Sequence, residues 1–425
     1  MADSPVSARW LRPLVTAVAA ALVLVGAVFL QKQRQLDADG AVTMNDAVQF
    51  WCAGNLIRQG RSPYEIEGQA TISAAAGWDR ETTGIGRYDF MPYYYPYWLG
   101  LAAAPLTILD FETFVATWTV FQYTCLLVAA MLLSQLPQRY PRLLTGVLIL
   151  FFPLATQVAD MGQVACGLLM LLALLWWSVK KRREVLAGLV LAALCTKPQL
   201  TVLVVPCALI WSWRQERKRV ILGFASGVAA LVGVSTLLHP TWIIEFLRAP
   251  SATPMLTGSD PWKLTTWNAV CRSLGADGFW LMAMTAIVAI PAALWTLSTA
   301  WRRDSSFADV VSVGLLAVWF VSPYGRSYDM VVLLFPLVVL IGKCATLPRV
   351  VITGLFLLGP HAYQRIRWQR EIYPFWGLEI WWSWVPVGLL LLWIAQERGW
   401  LESSSSNGSH ELSFSPNQRT SASST

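Results

Sequence analysis

Apolar runs of about 15 to 22 residues recur along almost the whole chain, each closed by a short polar stretch. A helix crossing a bilayer needs about 20 such residues, so the pattern predicts a multi-span helical membrane protein. The first run, Leu14 to Leu30, follows Arg9 and Arg12 and is not succeeded by a small-residue cleavage site. It reads as an uncleaved span with the N-terminus in the cytoplasm. A polar stretch from Gln31 to Pro96 follows, and then Tyr97 to Leu109, which at about 13 residues is short for a span. Further runs lie at 114–136, 143–158, 163–178, 184–196, 199–213, 220–238, 279–300, 307–321, 329–342, 349–360 and 380–395.

The charge pattern decides whether Tyr97 to Leu109 crosses. If it does not, the loops placed inside carry Arg139 and Arg142, Lys180 to Arg183, Arg214 with Arg217 to Arg219, Arg302 and Arg303, and Lys343 with Arg349. If it does, those clusters fall outside, against the positive-inside rule. Tyr97 to Leu109 is therefore expected to be an interfacial or re-entrant helix. The fold class is an all-α integral membrane protein, a multi-span helical bundle of about twelve transmembrane helices. Residues 1–400 form one transmembrane domain, in which 31–112 make a long first periplasmic loop with interfacial helices. Residues 401–425, rich in Ser, are expected to be a disordered cytoplasmic tail.

The same parity groups the outward ends of the spans. Gln163, the turn Thr196 to Gln199, the loop Pro240 to Gly278, the turn Ser322 to Asp329 and the loop His361 to Glu379 all fall on the side of Asp46. Ionisable groups at membrane depth are costly and usually functional.

Composition adds little to the class but removes alternatives. With 56% hydrophobic and 13% charged residues, the chain has no evident soluble domain. The net charge of +7 follows topology, so no nucleic-acid partner is implied. Many of the 23 Trp sit near the ends of apolar runs, as in an aromatic belt. Seven Cys without CxxC spacing and three scattered His give no metal site and no disulfide framework. No Walker loop, dinucleotide fingerprint, HExxH or nucleophile elbow is present.

Within the outward segments, Asp46 reads either as a general base with its basicity raised near a low-dielectric boundary or as the N-cap of a helix Ala47 to Gln59. Gly60 to Pro63 punctuates that helix, leaving Tyr64 and Glu65 as turn residues. Lys197, between two apolar runs and before Pro198, places an ammonium beside a helix start, a plausible phosphate site or a snorkelling loop lysine. Arg326 could clamp a phosphate or pair structurally with Asp329. The other class of function open to such a chain is a transporter or flippase of a lipid-linked or anionic substrate, which would spread its charges across the bilayer depth.

Short motifs appear in order over most of residues 14–342: Asp46 with Phe50-Trp51 and Ala53-Gly54, Gly60, Pro63-Tyr64, Tyr95-Pro96, Ala104-Pro105-Leu106, Trp118, Gly162-Gln163, Ala187-Gly188, Lys197-Pro198-Gln199, Ser322-Pro323 and Tyr328-Asp329. In these the chain resembles glycosyltransferase family 87, the polyprenol-phosphate-mannose-dependent mannosyltransferase-like proteins of the GT-C superfamily. The resemblance implies a GT-C-like bundle in the bacterial inner membrane. It would transfer a sugar, expected to be mannose, from a polyprenyl-phosphate donor to a lipid or glycan acceptor on the periplasmic side, with inversion. Asp46 maps onto the acid of the first outer loop. Lys197 and Arg326 are then expected at the donor phosphate, with Tyr64, Gln163, Gln199, Tyr328 and Asp329 contacting substrate. No resident cofactor is implied, although a divalent cation at Asp46 is compatible. The family often has Tyr-Pro-Pro where this chain has Tyr95-Pro96-Tyr97, and a His or acid where it has Arg326.

Overall fold

The computed structural model describes residues 46–76, 92–136, 142–249, 264–369 and 382–401. The expected first span, the acids Asp79, Glu81 and Asp89, and the C-terminal tail lie outside them. Every described element is a helix. In chain order these are α1 (Val48–Arg58), α2 (Ile66–Ala75), α3 (Tyr97–Ala103), α4 (Phe111–Leu133), α5 (Arg142–Leu150), α6 (Pro153–Met161), α7 (Ala165–Lys180), α8 (Glu184–Ala193) and α9 (Pro198–Thr201). They continue as α10 (Val204–Arg214), α11 (Lys218–Leu238), α12 (Trp242–Arg248), α13 (Trp267–Ser273), α14 (Gly278–Trp301), α15 (Phe307–Val321), α16 (Leu334–Lys343), α17 (Thr346–Gln369) and α18 (Trp384–Glu397).

Helices α4, α11 and α14 are long and apolar enough to cross a membrane, and several others are apolar but shorter. The shorter ones arise where one apolar run is broken. The run 143–158 divides at Phe152, because Pro153 has no N–H and opens a new helix. The run 199–213 divides into α9 and α10, and the run 329–342 begins as a 3-10 helix, Ser327–Leu333, before α16. In the opposite sense, α17 continues past Pro360 to Gln369, where a loop was expected.

Burial orders the bundle. Nearly every residue of α15 and of the segment Ser327–Ile341 is buried, so these form its centre. By contrast α14 exposes Phe279, Trp280, Met282, Ile287, Ile290 and Leu294. A helix so apolar on its exposed face is solvated by lipid rather than water. Helices α8 and α11 cross very closely through Gly188, Gly223 and Gly227, where an added Cβ would press on facing backbone or on Ala192.

The connections sort into two ends. At one end, Asp46 N–H donates to Met161 O at 2.8 Å, Trp98 Nε1 to Thr196 Oγ1 at 3.1 Å and Thr265 N–H to Gly325 O at 2.9 Å. At the other, Lys180 Nζ donates to Gln135 O at 2.7 Å, Gln215 Nε2 to Arg303 O at 2.8 Å and Lys343 Nζ to Asp309 Oδ1 at 2.5 Å. The loops that the charge pattern assigns to one side therefore touch one another. The segment Tyr97–Ile108 is seven α-helical residues followed by a 3-10 turn, Ala104–Ile108. At roughly 20 Å it is shorter than the ~30 Å hydrocarbon core. It lies along α1, where Gly54 admits the backbone of Ala104 and Arg58 donates to Thr107 O at 2.8 Å.

Candidate active site

Helix α1 starts after Ala47, whose side chain makes no cap hydrogen bond. Asp46 precedes that start, and its carboxylate reaches Gln163 at the break between α6 and α7. There Gly162, with φ of 75°, ends α6 in the left-handed conformation that favours glycine. Gln163 follows it. The turn is held from two sides, by Asp46 N–H on Met161 O and by Trp118 Nε1 on Gly162 O at 2.8 Å. The Gln163 amide then bridges two groups: Nε2 donates to Asp46 Oδ2, and Oε1 accepts from the Tyr95 hydroxyl at 3.0 Å. Asp46 is 9% exposed and Gln163 1%, so the carboxylate sits at the edge of a closed interior.

Aromatic packing fixes this cluster. Phe50 on α1 stacks on Trp118 with centroids 4.9 Å apart and lies 5.0 Å from Tyr95. Tyr64 donates to Tyr95 O at 2.9 Å, which places Tyr64 behind Tyr95 as a backbone support. The end of α1 that delivers Tyr64 is a Schellman turn: Arg61 N–H bonds Leu56 O, Gly60 N–H bonds Ile57 O, and Gly60 has φ of 71°.

The second half of the site comes from later helices. Lys197 sits between the 3-10 turn Leu194–Thr196 and α9, and α9 is a single turn, too short for much of a dipole. Its ammonium is not alone. Nζ lies 2.5 Å from Asp329 Oδ1, with the two side chains 2% and 0% exposed. It also stands 5.2 Å from the Tyr328 ring centroid and 5.8 Å from that of Tyr95. The other Asp329 oxygen accepts the Arg326 backbone N–H at 3.2 Å, so Asp329 fixes the turn that carries Arg326. The Arg326 guanidinium, half-buried, is 5.7 Å from the Tyr328 ring. Gln199 is half-buried and makes no side-chain hydrogen bond among the described residues.

Tyr95 joins the halves. Burial pushes its phenol well above the ordinary range, and Asp329, Tyr324 and Asp46 push it further, so both acids lie within electrostatic reach of one hydroxyl. Asp46 and Asp329 likewise both act on Tyr328, and Tyr324 is hydrogen-bonded to Tyr328. Asp46, Gln163, Lys197, Arg326, Tyr328 and Asp329 are thus brought together. Tyr64 stands one residue behind and Gln199 at the edge.

A family model, glycosyltransferase family 87, matches residues 93–323, more than half of the chain. The chain belongs to glycosyltransferase family 87. No curated protein and no solved structure gives a match. Within this glycosyltransferase the matched stretch contains Tyr95, Gln163, Lys197 and Gln199, whereas Asp46 and Tyr64 precede it and Arg326, Tyr328 and Asp329 follow it.

Tyr95 and Tyr324 were not singled out as site residues in the sequence. The available signal was the Tyr95-Pro96 and Ser322-Pro323-Tyr324 pairs, in which proline stiffens the chain beside an aromatic hydroxyl. A third feature, Glu245 on α12, left no signal at all. It accepts from Ser62 and from Thr241, the latter at 2.5 Å, and meets His239 Nε2 at 2.9 Å, which ties the end of α11 to the turn before Tyr64. Among the described residues no group of three or more His, Cys, Asp or Glu gathers as a metal site.

Proposed function

We propose that this membrane glycosyltransferase takes its sugar, mannose, from a polyprenyl-phosphate donor and transfers it with inversion to a lipid or glycan acceptor at the periplasmic face of the bacterial inner membrane. The observation that carries the reading is the convergence, at one end of the bundle, of a carboxylate at the edge of the interior with a cluster holding Lys197 and Arg326. A base and a cationic cluster on one aromatic frame suit a reaction that removes a proton on one side and releases a phosphate on the other.

The acceptor oxygen attacks the anomeric carbon as its proton passes to Asp46. The bond from that carbon to the donor phosphate oxygen breaks, and polyprenyl phosphate leaves with the electron pair. Arg326, the more accessible cation, faces the phosphate and stabilises the charge growing on it. Lys197 contributes its positive field from behind, partly balanced by Asp329. Tyr324 and Tyr328 offer hydroxyls and ring faces to the sugar, and Gln199 lines the edge. The apolar flanks of α11 and α14 suit the polyprenyl chain.

The test is transfer of radiolabelled mannose from polyprenyl phosphate to membrane lipids and glycans, comparing wild type, Asp46→Asn and Arg326→Ala at equal expression. Loss of transfer in both is expected. Full activity in Asp46→Asn removes the base from the mechanism.

A further inference from the structure

We propose that Tyr95 is a positioning residue for the base: its hydroxyl sets the direction of the Gln163 amide so that the NH2 end faces Asp46 and holds that carboxylate as a hydrogen-bond acceptor. The inference rests on the reading of Asp46 as the base. It also gives Gln163 a role other than sugar contact.

The two ends of an amide are chemically different, and what lies beyond each decides which way it points. Gln163 has Asp46 at one end and the Tyr95 hydroxyl at the other. A phenol can donate or accept, so Tyr95 constrains the amide only if its proton has nowhere else to go. Among the described residues the Tyr95 hydroxyl has no other hydrogen-bond partner. Reversing the amide would strand that buried proton and would set the amide oxygen against the Asp46 carboxylate, two acceptors facing each other. The observed direction satisfies both groups, and it does so only while Asp46 can accept.

Packing alone does not account for the hydroxyl. The Tyr95 ring is already held by Phe50 at 5.0 Å, and its backbone carbonyl by Tyr64. Replacing the ring by phenylalanine leaves those contacts and removes only the donor. Gln163, for its part, is 1% exposed, with both amide ends engaged inside the protein and its backbone held by the Trp118-braced turn. The arrangement fixes Asp46 through its Oδ2, which accepts from Gln163.

A double-mutant cycle tests this, using radiolabelled mannosyl phosphate of a polyprenol as donor and total membrane lipid as acceptor. Tyr95→Phe and Gln163→Ala are each expected to lower kcat by about tenfold or more with the donor KM within about twofold, the scale of one lost hydrogen bond to a charged group. Because one residue acts through the other, the double variant falls no further than Gln163→Ala. The fall in kcat at near-constant donor KM is the readout that a purely structural role would not give. Size-exclusion profiles in detergent restrict the comparison to folded protein. Full activity in Tyr95→Phe or additive losses in the double variant overturns the proposal. With Asp46→Asn inactive, any of those results removes only the Tyr95 role; an active Asp46→Asn removes the base and this inference together.

Discussion

Lys197 and Asp329, 132 positions apart in sequence, form an ion pair of 2.5 Å with neither side chain open to solvent. Two charges taken out of water together are tolerable only while each has the other, so the pair behaves as a unit. Lys197→Ala or Asp329→Asn alone is expected to cost about 3 to 5 kcal/mol of stability, because the remaining group stays buried without its partner. The double replacement Lys197→Met/Asp329→Leu is expected to recover most of that loss while transfer stays low. Thermal unfolding in detergent beside the transfer assay checks both. A double variant as unstable as the singles would mean that the cost lies in packing and not in charge.

Glu245 supplies a pH dependence away from the long helices. Burial pushes its carboxyl up, but hydrogen bonds from Ser62, Thr241 and His239 outweigh burial and leave it below its ordinary value of 4.5. A carboxyl lowered on folding adds stability that is fully present above that ordinary value and is lost as pH falls through the folded value. With the Glu245 side chain about a third exposed, the effect is expected to stay under about 1 kcal/mol. Limited proteolysis at the turn of Arg61 to Tyr64 reads it. Cleavage in wild type is expected to rise below pH 4.5, and Glu245→Gln is expected to be cut more readily at neutral pH with little further change on acidification.

The helices were legible because lipid demands long apolar runs. The predicted runs 114–136, 220–238, 279–300 and 307–321 correspond to α4, α11, α14 and α15 within a few residues. Breaks inside runs were not legible. The isolated turn of α9 and the 3-10 opening before α16 depend on tertiary contacts, among them the Lys197–Asp329 pair, which hydropathy does not register. At the site, gathering outward loops by charge grouped Gln163, Lys197 and Asp329 on the side of Asp46, and the structure sets Gln163 against Asp46 and Lys197 against Asp329. The charge pattern could not show which groups pair. Lys197 read as a lone cation, and Asp329 as a neighbour of Arg326, because the true partner comes from a distant helix. Tyr95 entered only through the Tyr95-Pro96 motif, with no role at the site, since a tyrosine among aromatics at a membrane surface looks like belt material and only the direction of its hydroxyl distinguishes it.

The crossing of α8 and α11 predicts a steric threshold. A Cβ on Gly188 would stand 2.2 Å from Val220 O and 2.4 Å from Phe224 N, and one on Gly223 would stand 2.4 Å from Val185 O. Backbone on both sides cannot step aside as a flexible side chain can. Gly188→Ala and Gly223→Ala are each expected to destabilise by about 2 kcal/mol or more. Gly233→Ala, on the same helix α11 with open space around it, is expected to be neutral or slightly stabilising. Melting temperatures of the purified proteins measure the contrast, and equal effects at the three positions would deny the close crossing.

The two-ended sorting of contacts predicts topology at two exposed turns. Arg182, with φ of 54°, lies in the tight turn after α7, and Gly275, with φ of 85°, in the one after α13. The first turn belongs to the end where Arg217 donates to Val179 O, and the second follows α13, which packs near the Thr265–Gly325 contact at the site's end. Helices joined in this way put the two turns on opposite sides of any membrane that the bundle crosses. The basic cluster Lys180 to Arg183 then selects the cytoplasm for the first. A phosphatase that is active only outside the cytoplasm, inserted after Arg182, is expected to be silent, and inserted after Gly275 to be active. Activity at both positions would mean that an even number of crossings separates the two turns, with the broken run of α9 and α10 the segment that fails to cross.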